Sequence, residues 1–385
     1  MSHHSFRRHV FYFPGFDPRG ASFYHRIYRE ESDKQSAVNG LTASVGRRRR
    51  VSDVSQGWTV HAQDGATRVE TCYEFMVWDD IVRAHWPKGY AALLLSALRF
   101  IFFYVFSGAI FKIAKTSWPP TVTIIYPVVF IILAIILALF AAWSVAVLLL
   151  PLAGVWLAGI AATLAFALAL MGARRLGDRI NVFWLLRIYA FTAEWGRVGI
   201  PALDARMQAF AERIQAVMAS DDCDEILVLG HSVGTIMVVP VLARLLEKGD
   251  TERRLTLVTL GEIIPLLSLL PQAEAYRRDL ARVAKASSRI LWADFTAAVD
   301  SACFPLVNPV LASGLALEQG EGPFILSTRF HTLFHPASYR RIRRDWYRMH
   351  FQYLMSTELQ GSYDIFAMTG GALSVSRRFA EQMKR

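Results

Sequence analysis

The chain has 385 residues, of which 54% are hydrophobic and 19% charged, and it carries a formal net charge of +10 at pH 7. That length allows one large domain or two ordinary ones with a sizeable core, while the apolar fraction exceeds the usual soluble range and points to membrane segments. Three scattered cysteines, Cys72, Cys223 and Cys303, argue against a disulfide framework and suit a reducing compartment, and the sequence has neither a CxxC pair nor a Cys/His cluster with zinc spacing.

The amino-terminal stretch MSHHSFRRHVFYF has no apolar run ending in a small-residue cleavage site, so no secretory signal is expected. Residues 9–16, HVFYFPGF, read as a buried strand that feeds a Pro-Gly loop, and ASFYHRIYREESDKQ reads as a helix. From Thr42 to Trp78 the pattern is strand-like, with Asp64-Gly65 between two alternating runs as a hairpin turn. The run Arg47 to Arg50 has no aromatic platform or binding motif beside it, so it reads as a solvated or lipid-facing loop and nucleic acid is not an expected partner. A short helix is expected after Asp79 and Asp80.

Residues 91–115 form an apolar segment interrupted by Arg99, suited to lie in the membrane interface or to re-enter. From Thr116 to Ala173 there is no Asp, Glu, Lys, Arg or His. One helix of that length would be roughly 85 Å long against a hydrocarbon core of about 30 Å, so two spans are expected within 121–172. They run from about Val122 to Val145 and from Leu149 to Met171, with Pro151 and Gly154 near the turn of a hairpin. Lys112 and Lys115 before the block, and Arg174, Arg175 and Arg179 after it, put positive charge at both ends, as expected on the cytoplasmic side and near anionic headgroups.

Beyond the block, Phe183 to Ser220 reads as helix, with Pro201 at a helix start. Strands and helices then alternate: EILVLG, VGTIMVVPVLARLLEK, RLTLVTLG, PQAEAYRRDLARVAKA, SRILWADF and FILSTRF, followed by a carboxyl-terminal region helical in pieces. This alternation predicts an α/β fold, a mainly parallel sheet with helices on both faces, interrupted by the inserted membrane hairpin. Residues 1–90 and 183–385 are expected to be the two parts of one domain.

Ser232 follows one of the predicted strands in Gly-His-Ser-Val-Gly. A tight strand-to-helix turn crowds a serine backbone, and glycines two positions either side relieve the crowding. The hydroxyl then stands clear of the sheet beside the first amides of the next helix. Its neighbour His231 points away on such a turn and is not expected to be the base. This pattern resembles the α/β-hydrolases, in particular the lipase-like serine hydrolases with a GHSxG elbow, over residues 9–16 and about 183–360; the membrane block lies outside the resemblance.

The resemblance implies an oxyanion loop after an early strand. Pro14-Gly15-Phe16-Asp17 is the candidate, with Pro where the family commonly has His, and the roles pass to the amides of Phe16 and Val233. It further implies an acid and a base in the order Ser, Asp, His. Asp300, in the loop beyond a strand, is the favoured acid and Asp294, on the strand, the alternate. His350, which opens HFQYL at the expected start of a late helix, is the favoured base and His331 the alternate. His331 and His335 are four apart, but Pro336 and the lack of a third nearby ligand speak against a metal pair. No metal or organic cofactor is required. The strand before Gly15 and Ser232 flank the membrane block, so the number of complete crossings must be even if both build one site. The expectation is a serine hydrolase anchored on the cytoplasmic face that cleaves a lipid or other acyl ester. The alternatives are a non-catalytic membrane-anchored interaction protein and a transporter; for the last, the spans offer no buried charge and too few helices.

Overall fold

The computed structural model describes residues 5–86, 89–220, 222–249 and 253–383. The first four residues of the amino-terminal stretch and the last two of the expected carboxyl-terminal part lie outside the described residues. Nine strands form a single sheet: β1 (Ser5–Phe13), β2 (Thr42–Val45), β3 (Arg49–Arg50), β4 (Ser55–Asp64), β5 (Thr67–Met76), β6 (Glu225–His231), β7 (Leu255–Leu260), β8 (Ile290–Thr296) and β9 (Phe324–Ser327). Helices α1 (Gly20–Asn39) and α2 (Asp79–Ala84) precede the apolar region, which contains α3 (Tyr90–Phe100), α4 (Ala109–Thr116) and α5 (Trp118–Arg179). Helices α6 (Val182–Val198), α7 (Pro201–Ser220), α8 (Val233–Glu247), α9 (Ile264–Ser268), α10 (Glu274–Lys285), α11 (Pro309–Ala312), α12 (Pro336–Ile342) and α13 (Trp346–Phe351) follow.

The strand order is β2-β4-β5-β1-β6-β7-β8-β9, with β3 on β4. From β5 to β9 every pairing is parallel, and β2, β3 and β4 add an antiparallel edge through the Asp64-Gly65 turn. This is a mostly parallel α/β sheet, compatible with the α/β-hydrolase-like fold expected from the sequence. Alternation along β1 builds two cores. Phe11 and Phe13 face the side covered by α6, α7, α8 and α10, while Val10 and Tyr12 face α1, α13 and the carboxyl-terminal segments. From β1 the chain builds the sheet outward to one side through β5, and after the apolar region it returns as β6 on the other side of β1. Such a reversal leaves a crevice at the carboxyl ends of the two strands, between β1 and β6.

Pro201 opens a helix as expected, and with Gly199 at φ 72° before it the segment 183–220 divides into α6 and α7. In the apolar block the helical angles run through the expected gap at 146–148 and are interrupted at Gly154 (φ 74°, ψ 171°). Ala146 and Leu148 are strong helix formers and give the chain no reason to break there, whereas glycine reaches positive φ without a Cβ penalty. Trp118–Arg179 is long and apolar enough to cross a membrane, and large side chains such as Leu137, Phe140, Trp143 and Trp156 are exposed along it. Its two ends meet, since the Tyr126 hydroxyl donates to the carbonyl of Ile180 at 3.3 Å. Segment 91–116 is bent by 71° between Phe106 and Ala109, with Gly108 at φ 76°. Leu93, Ala97, Phe100 and Tyr104 join the sheet-side core, while Leu94, Leu98, Arg99, Phe102 and Phe106 are exposed.

A buried ion pair ties the ends of the chain to the sheet. Arg8 Nε on β1 meets Glu225 Oε2 on β6 at 2.7 Å, and its other nitrogens donate to the carbonyls of Gly371 and Leu373 at 2.9 Å. Arg8→Met removes the cation and leaves the buried Glu225 carboxylate with the Val375 amide in place of a counter-charge, so thermal or denaturant unfolding in detergent is expected to show a loss of about 3–5 kcal/mol.

Candidate active site

Strand β6 is buried along its whole length, and the chain leaves it through Ser232 at φ 56°, ψ −125°. Positive φ in a non-glycine residue costs on the order of 1–3 kcal/mol and persists only where surrounding contacts fix it. Those contacts are present. The Ser232 amide donates to the carbonyl of Leu260 at 3.1 Å, and the amide and hydroxyl of Thr235 donate to the Ser232 carbonyl at 2.9 and 2.6 Å. A Cβ on Gly234 would lie 2.0 Å from the carbonyl oxygen of Phe13, and one on Gly230 would lie 3.0 Å from that of Gly234. Glycine is therefore required at 234 by close backbone approach, and a Cβ at 230 would press on the backbone of α8. Helix α8 starts at Val233, whose amide has no partner inside the helix.

The loop Pro14–Asp17 leaves β1 directly over this turn, with the Cβ position of Gly15 3.1 Å from Ser232 Cβ and 3.4 Å from its Oγ. Trp78 Nε1 donates to the Pro14 carbonyl at 3.2 Å, and the Phe16 ring packs against Phe191 and Trp86. Asp17 accepts from the Tyr24 hydroxyl and pairs with Arg19, which in turn donates to the Tyr347 hydroxyl at 2.8 Å. Tyr347 lies on α13, so this network joins the loop to the helix that carries His350.

His350 is the fifth residue of α13, not the start of a helix as the sequence suggested; the start is set by Asp345, whose side chain accepts from the Arg348 amide. Its Nδ1 lies 2.8 Å from Asp300 Oδ2, and both side chains are almost fully buried. The other carboxylate oxygen accepts from the Ala302 amide at 3.0 Å. Burial raises the Asp300 pKa, but the His350 charge, its hydrogen bond and the Ala302 amide together outweigh it and hold the carboxyl below the ordinary range. The Tyr353 hydroxyl accepts from the Ala297 amide at 2.9 Å, fixing the turn that leads into Asp300.

His231 has a different part. Its Nε2 donates to the His350 carbonyl at 3.0 Å, since a carbonyl can only accept, so the elbow histidine holds the backbone of the other histidine. Burial and then the His350 charge lower its pKa to about 3, keeping it neutral. Ser232 and His350 line one small cavity, about 20 Å³, with Trp184, Leu185, Ile188 and Phe304. Pro120 and Ile124, from the first turns of α5, complete its lining, and the Thr123 hydroxyl donates to the carbonyl of Ser301 in the Asp300 loop.

The remaining candidates stand apart from this arrangement. Asp294 is fully buried on β8 and accepts from the Thr259 hydroxyl; burial pushes its pKa up to about 8, so it holds a proton where a triad acid needs a charge. Glu262 near it, unforeseen in the sequence, is raised chiefly by burial, and sharing the buried site with Asp294 further disfavours its ionised form. His331 is exposed in a single 3₁₀ turn with its ring near Tyr339, and His335 is exposed at the amino end of α12.

Sequence spacing also missed His9, Cys72 and Glu74, whose donor atoms lie within 4.8 Å of one another because β1 and β5 pair in register. The Glu74 carboxylate already accepts from His9, Ser55 and Arg213. The Arg213 guanidinium thus already supplies the Glu74 carboxylate with a cation.

The chain matches no known family profile, and no curated protein or solved structure is significantly similar to it.

The raised Asp294 carboxyl has a signed consequence for stability. It stays protonated in the folded chain up to about pH 8, whereas an unfolded aspartate ionises near pH 4. Between those values the folded state binds the extra proton, so this group's contribution to stability is lost as pH rises through the window. Asp294→Asn keeps the acceptor for Thr259 and is expected to flatten that fall, read as Tm against pH from 5 to 9; an unchanged slope contradicts the assignment.

Proposed function

We propose that the protein is a membrane-anchored serine hydrolase that cleaves acyl esters through Ser232, His350 and Asp300. The observation that carries this reading is the Asp300–His350 pair, whose imidazole lines the same cavity as Ser232, with the serine held in a left-handed turn. In the proposed reaction the far nitrogen of His350 takes the Ser232 proton as Oγ attacks the ester carbonyl. The carbonyl oxygen becomes an oxyanion facing the amides of Phe16 and Val233. Asp300 orients the imidazole and offsets its charge. The imidazolium then returns the proton to the departing alcohol, and water releases the carboxylic acid by the same steps. No metal or cofactor enters this sequence.

The membrane part of the reading places two crossings in Trp118–Arg179, folded back at Gly154, with the catalytic domain on the cytoplasmic side. Contact between Tyr126 and Ile180 supports the hairpin, because a straight helix would separate them by roughly 80 Å. Segment 91–115 then lies along the interface, burying one face on the domain and turning Arg99 outward. Because the first turns of α5 line the Ser232 cavity, a substrate carried by the bilayer, such as a glycerolipid, a lysolipid or an acylated protein, suits it best. The small volume of the cavity, about 20 Å³, favours a second reading, a non-catalytic membrane-anchored interaction protein.

Covalent labelling separates the two. A fluorophosphonate probe is expected to label the wild-type protein in membranes and to leave Ser232→Ala unlabelled; folded wild type that resists the probe supports the non-catalytic reading. Asp300→Asn is expected to slow turnover by about 10³–10⁴-fold. His231→Phe, which releases the His350 carbonyl, should lower kcat by roughly 10–100-fold with KM little changed, because it displaces the base without touching substrate.

A further inference from the structure

A second cavity lies within the apolar region, away from Ser232. It encloses about 220 Å³ between four stretches of chain, with Leu94 from α3, Ile131 and Ala134 from the first limb of α5, Leu170 from the second limb and Phe183 from α6 on its walls. Every wall residue is apolar except Arg174. That guanidinium lies 4.8 Å from the centre of the Phe183 ring, also a wall residue, and its Nε donates to Asp178 at 3.0 Å. Arg175 and Arg179 are exposed on the neighbouring turns.

We infer that this groove is a binding site for one anionic phospholipid, with an acyl chain between the limbs and the phosphate beside Arg174. The inference rests on the membrane reading of Trp118–Arg179 and is independent of the acyl-transfer chemistry. Around the groove, Leu94 and Ile135 remain exposed, and in a bilayer the medium that meets them is hydrocarbon. A volume of about 220 Å³ is too small for another helix, which with side chains is about 10 Å across, and suits a stretch of one acyl chain. The apolar run ends at Arg174, so the groove opens at the depth where hydrocarbon gives way to headgroups. Arg174, Arg175 and Arg179 outnumber Asp178 within two turns, and this net positive charge favours an acidic headgroup over a zwitterionic one. The Arg174–Phe183 stack fixes one of these charges at the rim without removing it.

The test uses the full chain in mild detergent, examined by native mass spectrometry. Wild type and Ser232→Ala are expected to carry one acidic phospholipid per chain. Ala134→Trp, which fills the groove, is expected to lose it, and Leu98→Trp on an exposed position is expected to keep it. Arg174→Gln should retain lipid but reduce the preference for acidic over zwitterionic species roughly fivefold, the scale of one basic residue near a headgroup. Wild type without lipid, or Ala134→Trp with as much as wild type, overturns the inference. A photoactivatable acidic phospholipid with its diazirine on the acyl chain gives a readout on wild type alone. Adducts on the peptides that hold Leu94, Ile131 and Leu170 support the site, and adducts spread evenly over all exposed faces contradict it. Alkaline carbonate extraction is run in parallel; release of wild type from membranes removes the membrane reading itself, whereas retention with an empty groove removes only this site.

Discussion

The contact on which the rest depends is the approach of the β6–α8 turn to the end of β1. With a Cβ position on Gly234 only 2.0 Å from the Phe13 carbonyl, the two backbones nearly touch, and no larger residue fits without moving one of them. The approach drives Ser232 into its left-handed conformation and sets Pro14–Asp17 over it. It also falls where the sheet changes its direction of growth, so the crevice, the strained serine and the first amide of a helix coincide. The strain at Ser232 is offset by contacts on three sides: Leu260, Thr235 and the end of β1.

Around that turn the same low-polarity surroundings drive ionisable groups in opposite directions. Asp300 and Asp294 are both fully buried, yet one is held anionic by an imidazole and an amide while the other, with a neutral hydroxyl as its partner, keeps its proton. His231 and His350 are likewise close, with ring centroids 5.1 Å apart, but His231 is neutral and serves the backbone, while His350 faces a carboxylate. Partners, more than burial, separate the groups suited to acid–base work from those that hold the frame.

The elements that were legible in the sequence are those governed by short-range rules. The β1 run, the Asp64-Gly65 turn and the strands and helices after residue 225 follow from period and turn chemistry. The spacing of Gly230, Ser232 and Gly234 announced the tight turn because its cause is steric and local. Less was legible where the cause is tertiary. Pro201 marked a helix start, and the structure places the end of the preceding helix just before it, at Gly199. The helix that carries His350 begins at Asp345, a cap that a continuous reading of RRIRRDWYRMH obscures. The Arg19–Tyr347 tie, the Glu262–Asp294 neighbourhood and the His9–Cys72–Glu74 cluster join residues remote in sequence, and no spacing rule reports them.

The link between the apolar region and the serine is the first turns of α5, which wall the cavity and bond to the Asp300 loop, so the same residues that begin the long apolar helix line the proposed active site. The central claim, that Ser232 forms a covalent acyl intermediate, is tested most directly by acid-quenching the protein milliseconds after mixing with an activated acyl ester and mapping the adduct by peptide mass spectrometry. The account predicts an acyl mass on the peptide that contains Ser232, which decays as carboxylic acid appears. Ester turnover with no acyl adduct, or with the adduct on another residue, contradicts it.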